Sequence, residues 1–260
     1  LFYVPERHME KYGMGRMGPG TSLYCRKVLI KPKAQGLLPD YLRFVQGVVD
    51  SEDIPLNISR ENMQDSLLIS RISSVLTKRV IKHLQDEAKR NPTKFAKWFQ
   101  EFGAFIREGI CSDFTHKNEL ARLLRFDSSD PSVTPDNPTS LDDYISRMPP
   151  EQNQIYYLLA PNRKTALESP YYEHMKQSGF EVLLLYHPLD DFAMENLREF
   201  NRRKLCSAES NSVEQSLAQK QKQLELEKEY ADLAEYVKTV LHDQVSTVTL
   251  TNKITKAPAF

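Results

Sequence analysis

The chain has 260 residues, and its 35 Lys and Arg residues balance its 35 Asp and Glu residues, so its formal net charge is zero. Hydrophobic residues make up 40% and charged residues 27% of the sequence, which excludes a disordered tail and is typical of a soluble globular protein. Zero net charge argues against a general nucleic-acid-binding protein, and no apolar run reaches the ~18 residues of a membrane helix. We therefore expect neither nucleic acid nor a membrane as a partner.

The sequence predicts no metal site and no disulfide. Cys25, Cys111 and Cys206 lie far apart without a CxxC motif, which favours a reducing compartment. The six histidines form no HExxH motif and no close pair with an acidic ligand. The sequence opens without Met in LFYVP and closes on TNKITKAPAF, so we expect a piece of a longer protein and read no localisation from a leader.

The first half of the chain predicts strands followed by a long helix. Residues 23–30 (LYCRKVLI) predict one strand, and Pro39 predicts the start of a short helix. A long amphipathic helix is predicted over residues 63–89, because apolar residues recur there at helical spacing: Ile69, Ile72, Leu76, Val80 and Leu84.

Two further helices are predicted before a change of pattern. Asn91-Pro92 ends the long helix, and the next one carries Phe95 to Ile106 on one side, with Trp98 on the apolar stripe as a core residue. A third helix is predicted around residues 118–126. Residues 127–140 contain three prolines and almost no apolar residue, which is typical of a loop between subdomains.

The second half alternates helices and strands. Helices are predicted over 141–148 and 169–178, and strands over 155–160 and 180–186, with Gly179 as the cap between helix and strand. Two strands joined by one helix predict a βαβ unit with a parallel pair. A charged helix over 224–242 and a strand over 245–250 follow.

One literal motif match is rejected. Residues 13–18 read GxGxxG, but Pro19-Gly20 and a strand follow them, whereas a dinucleotide-binding loop must open a helix that holds the pyrophosphate. A flexible connection to the strand is the better interpretation of this loop.

Charge and position single out Arg60. Residues 1–100 hold 17 Lys and Arg against 10 Asp and Glu, a balance of +7, which favours either a basic face for a phosphate or acidic partner or ordinary solvated helix faces. Arg60 falls in the first turn of the long predicted helix, where a cation opposes the helix dipole by roughly 0.3–1 kcal/mol. Arg60 is therefore either a solvent-facing residue or, together with the helix N-terminus, part of an anion site suited to phosphate.

The segment around Arg60 carries a family resemblance. The sequence GVVDSEDIPLNISRENMQ, residues 47–64, closely resembles the catalytic-loop signature of the ninety-kilodalton heat-shock protein chaperones. Collinear likeness extends through LYCRKVLI, LARLLRF, SLDDYISRMPPEQNQIYYLLAPNR and FEVLLLYHPLDDFAMENLREF, and LLAPNRKTALESPYYEHMK looks most like the mitochondrial, TRAP-type members. The likeness is weakest over residues 6–21 and 207–223.

The resemblance implies a middle domain of α/β (α+β) class. It implies a larger αβα subdomain with connecting helices over residues 1–126, a loop over 127–140 and a smaller αβα subdomain with the βαβ unit over 141–215. Residues 216–260 would then begin a C-terminal dimerisation domain. In the family an N-terminal domain binds ATP and Mg²⁺, so this fragment is expected to bind neither cofactor, to be inactive alone, and to hold no metal.

The resemblance also assigns roles to residues. Arg60 matches the catalytic-loop arginine that reaches the γ-phosphate of ATP, Gln64 matches the glutamine that supports it, and Asn57 matches an asparagine of the same loop. Expected partners are the chain's own N-terminal ATPase domain, client proteins and a second copy in a homodimer. The mitochondrial matrix is the expected location, with the cytoplasm as the alternative.

Two other functions stay open at this point. The chain is alternatively a passive interaction scaffold in which Arg60 has no role in ATP hydrolysis. It is also comparable to the transducer segment of a gyrase or mismatch-repair type ATPase, although that class uses a lysine in the phosphate-sensing loop and this sequence has Arg60.

Overall fold

The fold is described from a computed structural model of the chain. It describes residues 1–13, 15–52, 66–134, 136–150, 152–210 and 228–241, together with Val245 and Val248. The described residues form helices and two mixed β-sheets, which confirms the α/β class.

The first sheet has four strands in the order β1-β4-β2-β3. Their bounds are Phe2–Tyr3 for β1, Gly20–Cys25 for β2, Val28–Lys31 for β3 and Gln46–Asp50 for β4. β2 and β4 are parallel, from Gly20 opposite Gln46 to Tyr24 opposite Asp50, and the other two pairings are antiparallel. A short 3-10 helix, Asp40–Leu42, precedes β4 where Pro39 predicts a helix start.

The single strand predicted over residues 23–30 is wrong, because this segment is a β-hairpin. Arg26 and Lys27 adopt positive φ angles of 47° and 67°, which turn the chain between β2 and β3. Such turns usually carry Asn-Gly or Gly-Gly. Arg26-Lys27 is therefore not recognisable as a turn from the sequence. The apolar residues before and after it favoured one continuous strand.

Three helices follow the first sheet: α1 at Ser66–Arg90, α2 at Pro92–Ser112 and α3 at Lys117–Ala121. The Asn91 side chain accepts a hydrogen bond from the Lys94 amide at 3.1 Å, so it caps α2, and Pro92 is the first residue of that helix.

α3 is shorter than predicted. Leu123 and Leu124 lie beyond its end in tight turns, and both are fully buried, so burial rather than helical pairing explains their apolar pattern.

The second sheet has five strands in the order β5-β7-β6-β9-β8. Their bounds are Asp127–Ser128 for β5, Gln154–Leu159 for β6, Val182–Leu185 for β7, Glu199–Phe200 for β8 and Arg203–Ser207 for β9. β6 is parallel to β7 and to β9, which confirms the parallel βαβ pair. The segment interpreted as a loop after residue 126 begins with β5 at the sheet edge, and the last two strands were not predicted.

The helices of this half are α4 at Leu141–Arg147, α5 at Arg163–Glu168, α6 at Pro170–Gln177 and α7 at Pro188–Leu197. A capping box between Ser140 and Asp143 fixes the start of α4. Gly179 has a φ of 74°, as its predicted cap role requires. α8, at Ala231–Leu241, lies within the charged helix predicted over 224–242, and the predicted strand over 245–250 lies outside the described residues except for two positions.

Alternate residues of β6 and β7 enter two different cores. Tyr157 and Leu183 belong to the larger core, which also contains the buried faces of α2 and α7. Tyr156 and Leu184 belong to a second core with Met175 of α6 on the opposite face. This alternation follows from the two-residue period of a strand, and it places helices on both faces of the sheet. Trp98 is partly buried against the larger core.

A buried ion pair joins α2 to α7. Arg107 of α2 donates to the carboxylate of Asp190 of α7, and these side chains are 16% and 6% exposed. The guanidinium of Arg107 also lies 5.0 Å from the centre of the Phe99 ring.

Among the described residues, no helix is both long and apolar enough to cross a membrane.

Candidate functional site

The predicted site residues Asn57, Arg60 and Gln64 lie outside the described residues, as does the predicted start of the long helix before Ser66. The structure describes the two elements that bracket them. β4 ends at Asp50 on one side, and α1 is described from Ser66 on the other. The contacts that hold these two ends therefore describe how the candidate site is supported.

β4 is fixed in the middle of the first sheet. Its residue Gly47 has a φ of 147°, and a Cβ atom there would lie 2.1 Å from the carbonyl oxygen of Leu1. Two backbone hydrogen bonds of 2.9 Å, in opposite directions, join Leu1 to Val48. Only glycine fits at position 47, because any side chain would displace β1 or strain the backbone.

The end of β4 is tied to the β2–β3 hairpin. The carboxylate of Asp50 accepts a hydrogen bond of 3.1 Å from the amide of Lys27, and the Ser51 amide donates to the carbonyl of Tyr24 at 3.1 Å. The chain therefore leaves the sheet at Ser51 from a defined position.

α1 is anchored to the same sheet. Leu68, Ile69 and Ile72, near its start, pack against a buried cluster that comprises Leu23, Cys25, Ala34 and Leu37. Hydrophobic burial of this kind stabilises the contact by roughly 25 cal/mol per Å² of apolar surface. Both ends of the segment that carries the predicted site are thus held by one sheet.

Exposed cations lie on the β2–β3 hairpin. Arg26, Lys27, Lys31 and Lys33 are all exposed on or next to the β2–β3 hairpin. Asp50 is the carboxylate that the structure places against the hairpin turn, where it accepts from the Lys27 backbone rather than from a cationic side chain. Arg26 and Lys27 form the turn that contacts the end of β4, whereas Lys31 and Lys33 lie at the opposite end of the hairpin.

An ionic cluster holds the 3-10 helix Met9–Tyr12, which precedes the loop before β2. Arg43 donates to Glu10 at 2.8 and 2.9 Å and to Glu108 at 2.8 Å. The hydrogen bonds from Arg43 lower the pKa of Glu10, although burial opposes the shift. The loop continues into β2 at Gly20 and not into a helix, so the rejection of the GxGxxG match is confirmed; Met14 of that motif lies outside the described residues.

A protein-family comparison decides which family this arrangement belongs to. The family model for Hsp90 protein matches residues 1–260, the whole of the chain. The chain belongs to the Hsp90 family. The signature over residues 47–64 is therefore that of an Hsp90-family member.

Individual relatives agree with this assignment. The mitochondrial TNF receptor-associated protein 1 homolog of Dictyostelium discoideum is 50% identical over 263 residues, and the chaperone protein HtpG of Desulfitobacterium hafniense is 41% identical over 262. The mitochondrial heat shock protein 75 kDa of Bos taurus is 42% identical over 271 residues. Each comparison covers 100% of this chain but only 37%, 42% and 38% of the relative, so the chain spans about two fifths of their length.

The ionic contacts of this Hsp90-family chain were not predicted. Arg43 and Glu108 are separated by 65 positions, and Arg107 and Asp190 by 83. Each residue alone resembles an ordinary surface charge in the sequence. Among the described residues, no group of His, Cys, Asp and Glu has a metal-binding arrangement.

Proposed function

We propose that the chain is the middle segment of an ATP-dependent Hsp90-family chaperone, in which Arg60 meets the γ-phosphate of ATP bound by the N-terminal domain. One observation carries this proposal. The signature residues 47–64 begin within β4 and end in the sequence just before α1, and both elements are anchored to one sheet, in a chain that matches the family over its whole length. A rigid sheet is a suitable support for a loop that must present a cation to another domain.

The chemistry requires a cation with two donors. Negative charge on the terminal phosphate must be met in the transition state, and a guanidinium grips two phosphate oxygens at once. In this proposal Gln64 lies one helical turn after Arg60 and supports it, since positions i and i+4 share a helix face. Asn57 contributes to the same nucleotide-facing loop, while Mg²⁺ and ATP are held by the N-terminal domain.

Client binding is the second half of the proposed function. Val28 and Leu29 of β3, Phe114 after α2 and Phe192 of α7 are large apolar residues with exposed side chains. An unfolded client exposes apolar side chains, and exposed apolar residues on a chaperone can bind them. We propose that clients contact these positions, and that the full-length protein acts as a homodimer.

The proposed location is the mitochondrial matrix. Two of the similar proteins, from Dictyostelium discoideum and Bos taurus, are named as mitochondrial. The cytoplasm is the alternative, and fractionation of cells that express the full-length protein distinguishes the two.

Replacing Arg60 by Ala in the full-length protein tests the catalytic role. Arginine fingers elsewhere contribute about 10³–10⁵ in rate, and we expect about 10³ or less here, because a domain movement that precedes the chemistry limits part of the rate. The sequence predicts Arg60 as a surface charge, and such charges contribute within about 0.5 kcal/mol, so we expect the melting temperature to change little. Steady-state ATPase assays and thermal melts measure both quantities.

Two further variants make the test specific. Gln64→Ala should lower turnover in the same direction but more weakly, and Arg60→Lys should restore only part of it, because an ammonium lacks the bidentate geometry. If Arg60→Ala leaves the ATPase rate within twofold of wild type, the phosphate-contacting role is wrong and the chain is a passive scaffold.

A further inference from the structure

A groove separate from the candidate site lies between α1, α2 and the N-terminal residues 1–7. Its volume is 960 Å³. Along α1 it extends from Leu76 to Glu87, a distance of about 16 Å at 1.5 Å per residue. That length matches three turns of a bound helix.

The floor of this groove is apolar. Val80 and Leu84 of α1 and Phe95 of α2 are buried there, and Trp98 is partly exposed. The indole of Trp98 is stacked on Phe102 with ring centres 5.4 Å apart, and it also contacts Phe95 at 5.1 Å. An aromatic side chain held in this way forms a preformed apolar surface and not a mobile cover.

The rim of the groove is basic. Arg79 stands on the α1 side, Lys94 and Lys97 stand on the α2 side, and Arg7 lies on the N-terminal segment; all are exposed. None of these cations has an ion pair with a described residue.

The carboxylates that line the groove do not neutralise this rim. Glu87 is paired with Arg90, and Glu101 is paired with Lys11. Glu6 is the remaining lining carboxylate, and within the described part of the chain it has no ion pair. The groove therefore combines an apolar floor with unneutralised positive charge on both sides.

We propose that this groove binds an acidic amphipathic helix of a partner protein. Such a helix places apolar residues at positions i, i+3, i+4 and i+7 on the floor and its Asp and Glu residues against the cations of both walls. Charge on both sides of the floor fits a helix with acidic flanks, since a helix presents polar residues on either side of its apolar stripe.

Trp98 provides a direct measurement, because it is the only tryptophan of the chain. The probe is a synthetic peptide of about 14 residues with Leu at the apolar positions and Glu elsewhere, titrated into the protein in low salt. We expect a saturable blue shift of Trp98 emission. Two control peptides should not bind. One has Lys in place of every Glu, and the other is the acidic peptide with one central residue replaced by Pro, which breaks the helix.

Matched variants locate the binding. Lys94→Glu combined with Lys97→Glu should raise the dissociation constant of the acidic peptide at least about tenfold. Leu76→Gln, at one end of the groove, should raise it by a similar factor. Lys78→Glu combined with Lys82→Glu makes the same charge change on exposed positions of α1 outside the groove, and should change the constant less than about twofold. Circular dichroism melts verify that each variant is folded.

The proposal is overturned by any of four results. These are no saturable shift with the acidic helix, equal binding by the broken or the Lys-containing peptide, equal weakening by the control variant, and a shift produced by phosphatidylglycerol vesicles but not by the peptide.

Discussion

Arg43 contacts two carboxylates at once from a side chain that is only 9% exposed. Its hydrogen bonds to Glu10 fasten the loop before β2 to the 3-10 helix that precedes β4, and its contact with Glu108 fastens both to α2. A cation that is this little hydrated requires its partners, because leaving a buried charge unpaired costs several kcal/mol.

We predict that Glu10 makes folding stability dependent on acid pH. Its pKa is lowered in the folded state, so its contribution is present above the ordinary glutamate pKa of about 4.3 and is lost as the pH falls through the lower, folded value. Glu10→Gln should therefore be less stable than wild type at neutral pH, and the difference should narrow below about pH 4.

Urea unfolding at several pH values measures this difference. Glu6→Gln is the matched control, because Glu6 is exposed and has no ion pair with a described residue, and its free energy of unfolding at neutral pH should stay within about 0.5 kcal/mol of wild type. A constant difference between Glu10→Gln and wild type at all pH values would show that the Glu10–Arg43 charge interaction is absent.

Asn57 and Gln64 were named only through the family signature, whereas Arg60 was also singled out by its charge and position. Residues 47–64 match over a continuous stretch, so Asn57, Arg60 and Gln64 follow from the sequence alone, and they stay predictions until turnover is measured. The physical argument by itself left Arg60 divided between a surface cation and an anion site, because one arginine in a first helical turn is compatible with both.

At the scale of elements, one buried ion pair joins α2 to α7 within an apolar contact, and the Asn196 side chain also donates to the sulfur of Cys111 at 3.8 Å. Asp190→Ala leaves Arg107 without its carboxylate in a largely dehydrated position, and we predict a loss of about 3 kcal/mol of unfolding free energy. Chemical denaturation of the chain measures this loss.

A double variant separates charge from packing. Arg107→Met combined with Asp190→Leu replaces the pair by apolar side chains of similar size, and it should recover most of the stability lost in Asp190→Ala. If Asp190→Ala costs less than about 0.5 kcal/mol, the pair is hydrated in solution and does not hold the two helices together.

Element types were predictable where periodicity was strong. Apolar spacing identified α1 and α2, and the alternation of strand and helix identified the parallel pair of β6 and β7. The errors arose where tertiary contacts override local signals. The β2–β3 hairpin turns on Arg26 and Lys27 without glycine, and β8 and β9 are short strands whose pairing only the assembled sheet reveals.

For the whole molecule, we predict that this chain alone hydrolyses no ATP and binds it weakly or not at all. Its sequence has no GxxxxGK[ST] loop, and the resemblance assigns the nucleotide pocket to the N-terminal domain. Isothermal calorimetry with and without Mg²⁺ measures the affinity. A saturable, Mg²⁺-dependent affinity in the low micromolar range would contradict this division of labour between domains.

The positions of the three cysteines allow the opening of the two sheets to be measured separately. Cys25 is buried in β2, Cys206 is buried in β9, and Cys111 is partly exposed on α2. A buried thiol reacts with a maleimide only after local opening, so its alkylation rate reports how often that sheet opens. Burial and the nearby Glu108 raise the pKa of Cys111, so this thiol reacts slowly despite its exposure, and its rate reports thiolate supply instead of opening.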